Sequence, residues 1–128
     1  MLKRILTVCF MAFSVCLGGQ FLAPADASAQ DVWVCTAEGK EIYVETDTIR
    51  GNSSYATVRT KEVYDGRLVR RISWEFDKNP KHMWCYQTNT MDRSHSTTVI
   101  PNGESHAILN ECGKVLGFST YVREYWVY

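Results

Sequence analysis

A histidine and a cysteine stand three residues apart in the segment His82-Met83-Trp84-Cys85, and these are residue types from which many metal sites are built. On a strand, however, positions three apart point to opposite faces, so His82 and Cys85 cannot easily share an ion. The other two histidines, His95 and His106, have no close companion in the sequence. We therefore predict no metal site and no cofactor.

The sequence also carries no local signature of an active site. Nucleophilic catalysis needs a serine or cysteine, a base and an orienting group, and no motif such as Gly-x-Ser-x-Gly is present. Asp77, Asp92 and Glu104 are carboxylates suited to acid–base chemistry, but they lie in polar segments typical of solvated surface. We predict that the protein is not an enzyme.

The first 29 residues have the composition of a secretory signal peptide. Lys3 and Arg4 precede an apolar run over 5–17, and small residues end the segment at Ala27-Ser28-Ala29. The run is shorter than the roughly 20 apolar residues that a membrane-spanning helix needs. Neither cysteine in this segment follows a small residue, as lipid attachment would require. The pattern predicts cleavage before Gln30 and an exported chain with no membrane span and no lipid anchor.

The predicted mature chain, residues 30–128, forms one domain of nearly neutral charge. Removing residues 1–29 leaves 12 basic and 13 acidic residues. Nucleic-acid binding needs a clear basic excess, so we expect no nucleic-acid partner.

Strand signals dominate the first two thirds of this domain. The six predicted strands are 32–35, 41–45, 54–63, 67–76, 81–90 and 94–100. Short connections between consecutive strands favour antiparallel neighbours, which predicts a six-stranded meander. From Glu104 the apolar period changes to about 3.6, which predicts one C-terminal helix that ends near Gly117 and is weakened at its centre by Gly113. The fold class is therefore α+β, with the helix packed on one face of the sheet.

The Asp65-Gly66 turn determines which residues share a face. A two-residue loop would place Lys61 opposite Arg70 and mix charges into both faces. An odd-length loop with Gly66 in a bulge instead separates the apolar residues from the charged ones. We predict the odd loop, with one apolar face made of Ala56, Val58, Leu68, Ile72, Trp74 and Phe76.

The aromatic tail, 117–128, fits neither a helix nor a strand well. Packing as an extra edge strand is the simpler interpretation, and contact with a partner or a membrane is the alternative.

Three cysteines follow the predicted cleavage site, and disulfides persist in exported proteins. If the helix lies on the sheet, Cys112 on its apolar stripe can meet Cys85 on the fifth strand. Such a bond would stabilise the domain by about 3 kcal/mol. Two alternatives stay open: Cys112 is a free buried thiol, or Cys35 replaces one member of the pair.

If Cys85 faces the helix, Trp84 and Tyr86 face the other way. They would then share a surface with the basic and aromatic residues of the central hairpin. Exposed aromatics interleaved with arginines are favoured at protein interfaces. The alternative is that these rings simply cover the sheet. The candidate binding residues are Tyr55, Arg59, Lys61, Arg71, Trp84 and Tyr86.

Several segments together resemble the surface-adhesin protein E family, small exported domains of diderm bacteria. The segment 33–50 resembles its opening strands and the short segment that follows them, which is carried here by Asp47 and Ile49. The segments VRTKEVYDG and ISWEFD resemble its central hairpin, and 100–112 resembles its closing helix, which starts after a proline and ends in cysteine.

This resemblance implies an antiparallel sheet of about six strands, a helix packed on it, and a helix cysteine tied to a strand, carried here by Cys112 and Cys85. It implies a location in the periplasm or on the cell surface, and binding of extracellular-matrix or serum proteins. The chain departs from the family in lacking a lipid-attachment motif, in the extra Cys35 and in the tail beyond Cys112. The alternative function is a periplasmic accessory protein that binds a small ligand or a client protein.

Overall fold

A computed structural model describes residues 31–92 and 94–128. The predicted signal peptide and its cleavage site lie outside these residues. These described residues form eight strands and one helix. Their bounds are β1 Asp31–Ala37, β2 Lys40–Gly51, β3 Tyr55–Tyr64, β4 Arg67–Lys78, β5 Trp84–Thr88, β6 Thr97–Thr98, α1 Glu104–Leu116, β7 Val122–Arg123 and β8 Trp126–Val127.

The first six strands form one antiparallel sheet in the order β1-β2-β3-β4-β5-β6, so the predicted meander is confirmed. Helix α1 packs on one side of this sheet, across β1, β2 and the near part of β3. The α+β fold class is therefore confirmed as well. The last two strands of this sheet are shorter than the sequence predicts: β5 has five residues and β6 has two.

The central hairpin has the predicted strand alignment beyond its turn, but the extra residue lies in β4 and not in the loop. Asp65 and Gly66, with φ of 52° and 75°, form a two-residue turn between Tyr64 and Arg67. The extra residue is Val69, because Glu62 pairs with Arg70 while Val63 pairs with Leu68. Beyond this bulge, Ala56 and Val58 pair with Phe76 and Trp74, so these four share a face as predicted. The prediction was wrong for the loop, and for Leu68, which pairs with Val63 on the other side of the bulge.

The core lies between the sheet and the helix. Alternate residues of β2, β3 and β4 point towards α1 and are buried with the helix residues Ile108, Leu109 and Cys112. Val115, which the periodicity places on the same stripe, is 53% exposed. The sheet contributes Ile42, Val44, Ala56, Val58, Ile72, Trp74, Phe76 and Trp84 to this core.

Helix α1 ends at Gly117, which adopts the left-handed conformation with φ of 86°. The N–H groups of Gly117 and Phe118 both donate to the carbonyl of Gly113. A Cβ atom on Gly113 would lie 2.4 Å from the Phe118 carbonyl oxygen. The glycine is therefore required by the close approach of the following segment and is not simply a weak point of the helix.

The aromatic tail forms a hairpin of its own. Strands β7 and β8 pair only with each other, so the tail does not extend the main sheet. Tyr121 and Tyr128 close the hairpin by two backbone hydrogen bonds and by ring stacking, while Val127 is fully buried in the core. Within residues 31–92 and 94–128, no helix has the length and apolar character needed to cross a bilayer.

The two edges of the main sheet are β1 and β6. Strand β1 carries a bulge at Val34, because Trp33 pairs with Tyr43 while Cys35 pairs with Ile42.

Candidate protein-binding face

The side of the sheet turned away from α1 is called here the reverse face. It carries the side chains of Tyr55, Arg59 and Lys61 on β3. Residue pairing places Arg71 opposite Lys61, so four of the six predicted binding residues lie on this face. Arg59 and Arg71 have side chains that are 48% and 47% exposed, and Tyr55 is similarly exposed.

The structure places Trp84 and Tyr86 on the opposite, helix-covered side, so the prediction for these two residues was wrong. Tyr86 pairs with the core residue Phe76. Trp84 is fully buried and stacks on Phe118 at a centroid distance of 5.1 Å. Because successive residues on a strand alternate faces, Cys85 points away from the helix.

This orientation also accounts for the cysteines. Cys112 lies on the buried side of α1, between the helix and the sheet, while Cys85 lies on the other side of the sheet. A disulfide requires Cα atoms within about 7 Å and side chains that point towards each other, which a sheet between them prevents. All three cysteines of the described residues are free thiols, so the expected Cys85–Cys112 bond is not formed. Burial raises the pKa of Cys112 to about 12 and also raises that of Cys35.

An ionic network holds the basic side chains of the reverse face in place. Glu45, only 9% exposed, accepts from Arg59 Nε at 3.0 Å and lies 3.5 Å from Arg71 Nε. Lys61 bonds Asp31 at 2.7 Å, and both of these side chains are nearly buried. Two half-exposed guanidinium groups on one carboxylate are fixed in direction and still present their outer N–H groups to solvent.

Two other aromatic residues, Trp33 and Tyr43, lie on the reverse face, where the sequence predicted Trp84 and Tyr86. Trp33 is 53% exposed and pairs with Tyr43, which in turn pairs with Lys61. The signal that could have found them is the β1–β2 hairpin, whose short turn aligns these residues with the central strands. Without the position of the β1 bulge, however, the sequence leaves the face of Trp33 undecided.

Charge changes sign along the reverse face. On β4 the outward residues run Arg71, Ser73, Glu75 and Asp77, all exposed. The acidic end borders a groove of about 440 Å³. Its polar lining is Tyr55, Thr57, Glu75, Asp77, Gln87 and Ser96. One end of the face is therefore basic and the other acidic.

A second polar cluster lies on the helix side, next to a cavity of about 690 Å³. The Asn102 N–H donates to His106 Nδ1 at 3.0 Å, so the neutral ring carries its proton on Nε2. Nε2 then donates to Thr120 Oγ1 at 3.2 Å, and Thr120 donates to Asn110 Oδ1 at 2.6 Å. A ring that donates to the hydroxyl cannot accept its proton, so this cluster is not arranged to activate Thr120 as a nucleophile. Burial lowers the pKa of His106, which favours the neutral ring.

Within residues 31–92 and 94–128, no group of three or more histidine, cysteine, aspartate or glutamate side chains is placed to hold a metal ion. Comparison of the chain with protein-family models, with curated proteins and with solved structures found no match.

Proposed function

We propose that this protein is an exported, non-catalytic binding module that takes a protein partner on its reverse face. The observation that carries this proposal is the arrangement of Arg59 and Arg71 on Glu45, on the exposed reverse face that also carries Trp33 and Tyr55. Arginine and aromatic side chains contribute most of the energy at many protein interfaces. Because the ionic network fixes the arginines before binding, little side-chain entropy is lost on contact.

The resemblance to the surface-adhesin protein E family supports the same proposal and adds a location, the periplasm or the cell surface. It also suggests extracellular-matrix or serum proteins as partners. Location is tested by protease treatment of intact cells. Degradation of the protein there supports surface exposure, and release only after disruption of the outer membrane supports a periplasmic role.

The cavity beside His106 favours a second candidate, a periplasmic accessory protein that binds a small ligand. Its volume is in the range of small-molecule sites, and it combines apolar walls with a few polar groups. In that case, substitutions at Asn110 or Thr120 would weaken ligand binding and substitutions on the reverse face would not.

The proposed function is tested by binding to immobilised matrix and serum proteins. The test variant combines Tyr55→Ala with Arg71→Ala, and the matched control combines Tyr125→Ala with Arg123→Ala on the exposed hairpin tip. We expect the test variant to bind about tenfold more weakly or worse, and the control to bind like the wild type. Equal affinity of a folded test variant and the wild type would exclude the reverse face as the binding surface.

A further inference from the structure

We infer that the cavity beside His106 is a carbohydrate site, which holds a pyranose ring of a sugar against the ring of Tyr121. This inference rests on the second candidate function above, because it names the class of ligand for that cavity. The cavity lies on the helix side of the sheet and shares no lining residue with the reverse face. The two sites are therefore tested separately.

Two segments form the walls of the cavity. Helix α1 supplies one wall, where His106, Asn110 and Lys114 recur every four residues and so lie in a row. The chain turns after the helix, and residues 118–122 supply the other wall. The hydrogen bonds of Thr120 to His106 and to Asn110 join the two walls. The cavity is therefore formed before any ligand binds.

Tyr121 gives the cavity a flat aromatic wall. Its backbone exchanges two hydrogen bonds with Tyr128, and the two rings stack at a centroid distance of 5.4 Å. Tyr128 covers one face of the ring, while Tyr121 is still 60% exposed, so the other face is open. The C–H groups on one side of a pyranose carry partial positive charge and pack on the negative face of an aromatic ring. Because the hairpin fixes this ring in advance, little side-chain entropy is lost when a sugar stacks on it.

Asn110 supplies hydrogen-bond donors in the same cavity. Its Oδ1 accepts from the Thr120 hydroxyl at 2.6 Å, while its Nδ2 group has no partner among the residues that the structure describes. That group carries two N–H donors. Ser119 adds an exposed hydroxyl to the lining. Amide donors and a hydroxyl near a flat ring match a ligand that has an apolar face and a rim of hydroxyl groups.

The charge of the lining disfavours other classes of ligand. Among the described residues that line the cavity, Lys114 alone is charged near pH 7, and it lies 2.9 Å from Glu111. A phosphate ester or a nucleotide needs an excess of positive charge, which this pairing removes. A wholly apolar ligand would cover the Asn110 N–H groups without giving them an acceptor. A neutral compound with many hydroxyl groups avoids both costs.

Heteronuclear NMR titration of the protein tests the inference. The probes are glucose and N-acetylglucosamine as free sugars, and maltotetraose and chitotetraose as their chains. We expect at least one probe to shift the Asn110 side-chain amide signals and the backbone signals of 117–122, with a Kd of about 10 mM or lower. Tighter binding of a chain than of its single sugar identifies a glycan as the source of the ligand, and equal binding identifies a free sugar. Either result supports a carbohydrate site.

Three substitutions examine the two kinds of contact. Tyr121→Phe keeps the flat ring and should bind like the wild type, whereas Tyr121→Leu keeps only apolar bulk and should bind about tenfold more weakly. Asn110→Asp retains an acceptor for Thr120 but removes the N–H donors, so it should also weaken binding about tenfold. The control is Tyr125→Ala, which removes an exposed ring outside the cavity and should have no effect. All affinities are taken from the backbone signals of 117–122.

Three results would overturn the inference. The first is that no probe shifts these signals up to about 50 mM. The second is wild-type affinity in both Tyr121→Leu and Asn110→Asp, since the sugar would then lie elsewhere. The third is that benzene, an apolar probe, binds in the cavity while the sugars do not. If Tyr121→Leu does not fold, Asn110→Asp and Tyr121→Phe still decide between these outcomes. The Tyr55→Ala, Arg71→Ala variant should keep sugar binding, so a failure of the reverse face and a failure of this site are read separately.

Discussion

Trp84 stacks on Phe118, with ring centroids 5.1 Å apart and ring planes inclined by 21°. This contact joins the start of β5 to the segment that follows α1, on the covered side of the sheet. It exists because Gly113 lets the chain at Phe118 lie directly against the helix.

Gly113→Ala should therefore destabilise the protein, although alanine favours helices over glycine by about 1 kcal/mol. The added methyl group would meet the Phe118 carbonyl and ring, and we expect a net loss of about 1–3 kcal/mol. Urea unfolding measures this loss, and the exposed Val115→Ala is the control, with an effect below about 1 kcal/mol. A stabilised Gly113→Ala protein would show that the segment after α1 does not lie where the structure places it.

The two buried tryptophans should respond differently to phenylalanine. Trp74 Nε1 donates to the buried hydroxyl of Thr60 at 2.9 Å, whereas Trp84 Nε1 has no hydrogen-bond partner among the described residues. Trp74→Phe leaves the Thr60 hydroxyl without its donor, while Trp84→Phe removes a buried N–H that makes no bond. We expect Trp74→Phe to cost about 1–2 kcal/mol more in unfolding free energy than Trp84→Phe. Equal losses in urea unfolding would contradict this assignment.

Alkylation should distinguish the cysteines. In the native protein near pH 8, Cys35 should react first, because it is only partly buried. Cys112 should react last, and only on unfolding, because it is fully buried and its pKa is raised to about 12. Peptide mass spectrometry without reductant checks both points. A peptide pair joined through Cys85 and Cys112 would be incompatible with their positions on opposite sides of the sheet.

Stability should fall as the solution becomes mildly acidic. Unfolded histidine has a pKa near 6.5, and burial lowers the pKa of His106 in the folded state. The folded state therefore binds fewer protons, so the contribution of His106 is complete above about pH 6.5 and is lost as the pH falls towards its folded pKa. His106→Gln should reduce the difference in unfolding free energy between about pH 7.5 and about pH 5.5. An unchanged difference in the His106 variant would exclude this ring as the cause.

The sequence predicted the central hairpin well because its residues alternate clearly between apolar and polar. Val58, Ile72, Trp74 and Phe76 are separated by charged or polar neighbours, so only one alignment buries them together. The structure of the turn differed from the prediction because the extra residue is Val69 on β4 and does not lie in the loop. An extra residue at either position places the residues beyond it on the same faces of the sheet.

The face of β5 could not be predicted in this way. Trp84, Cys85 and Tyr86 are all apolar or aromatic, so the strand has no alternation that identifies its buried side. The alignment is set by the loop over 79–83, where the side chain of Asn79 accepts from the N–H groups of Lys81 and Met83. An odd number of loop residues places Trp84 opposite Lys78 and turns Cys85 away from the helix. Side-chain capping within the loop decided the position of two candidate binding residues and of one cysteine.

The bulge at Val34 has a consequence for how concentrated protein should behave. An edge strand with an irregular row of backbone groups is a poor template for another strand, and the edge at the other side of the sheet is only two residues long. Growth of fibres by edge-to-edge addition is therefore disfavoured at both ends of the sheet.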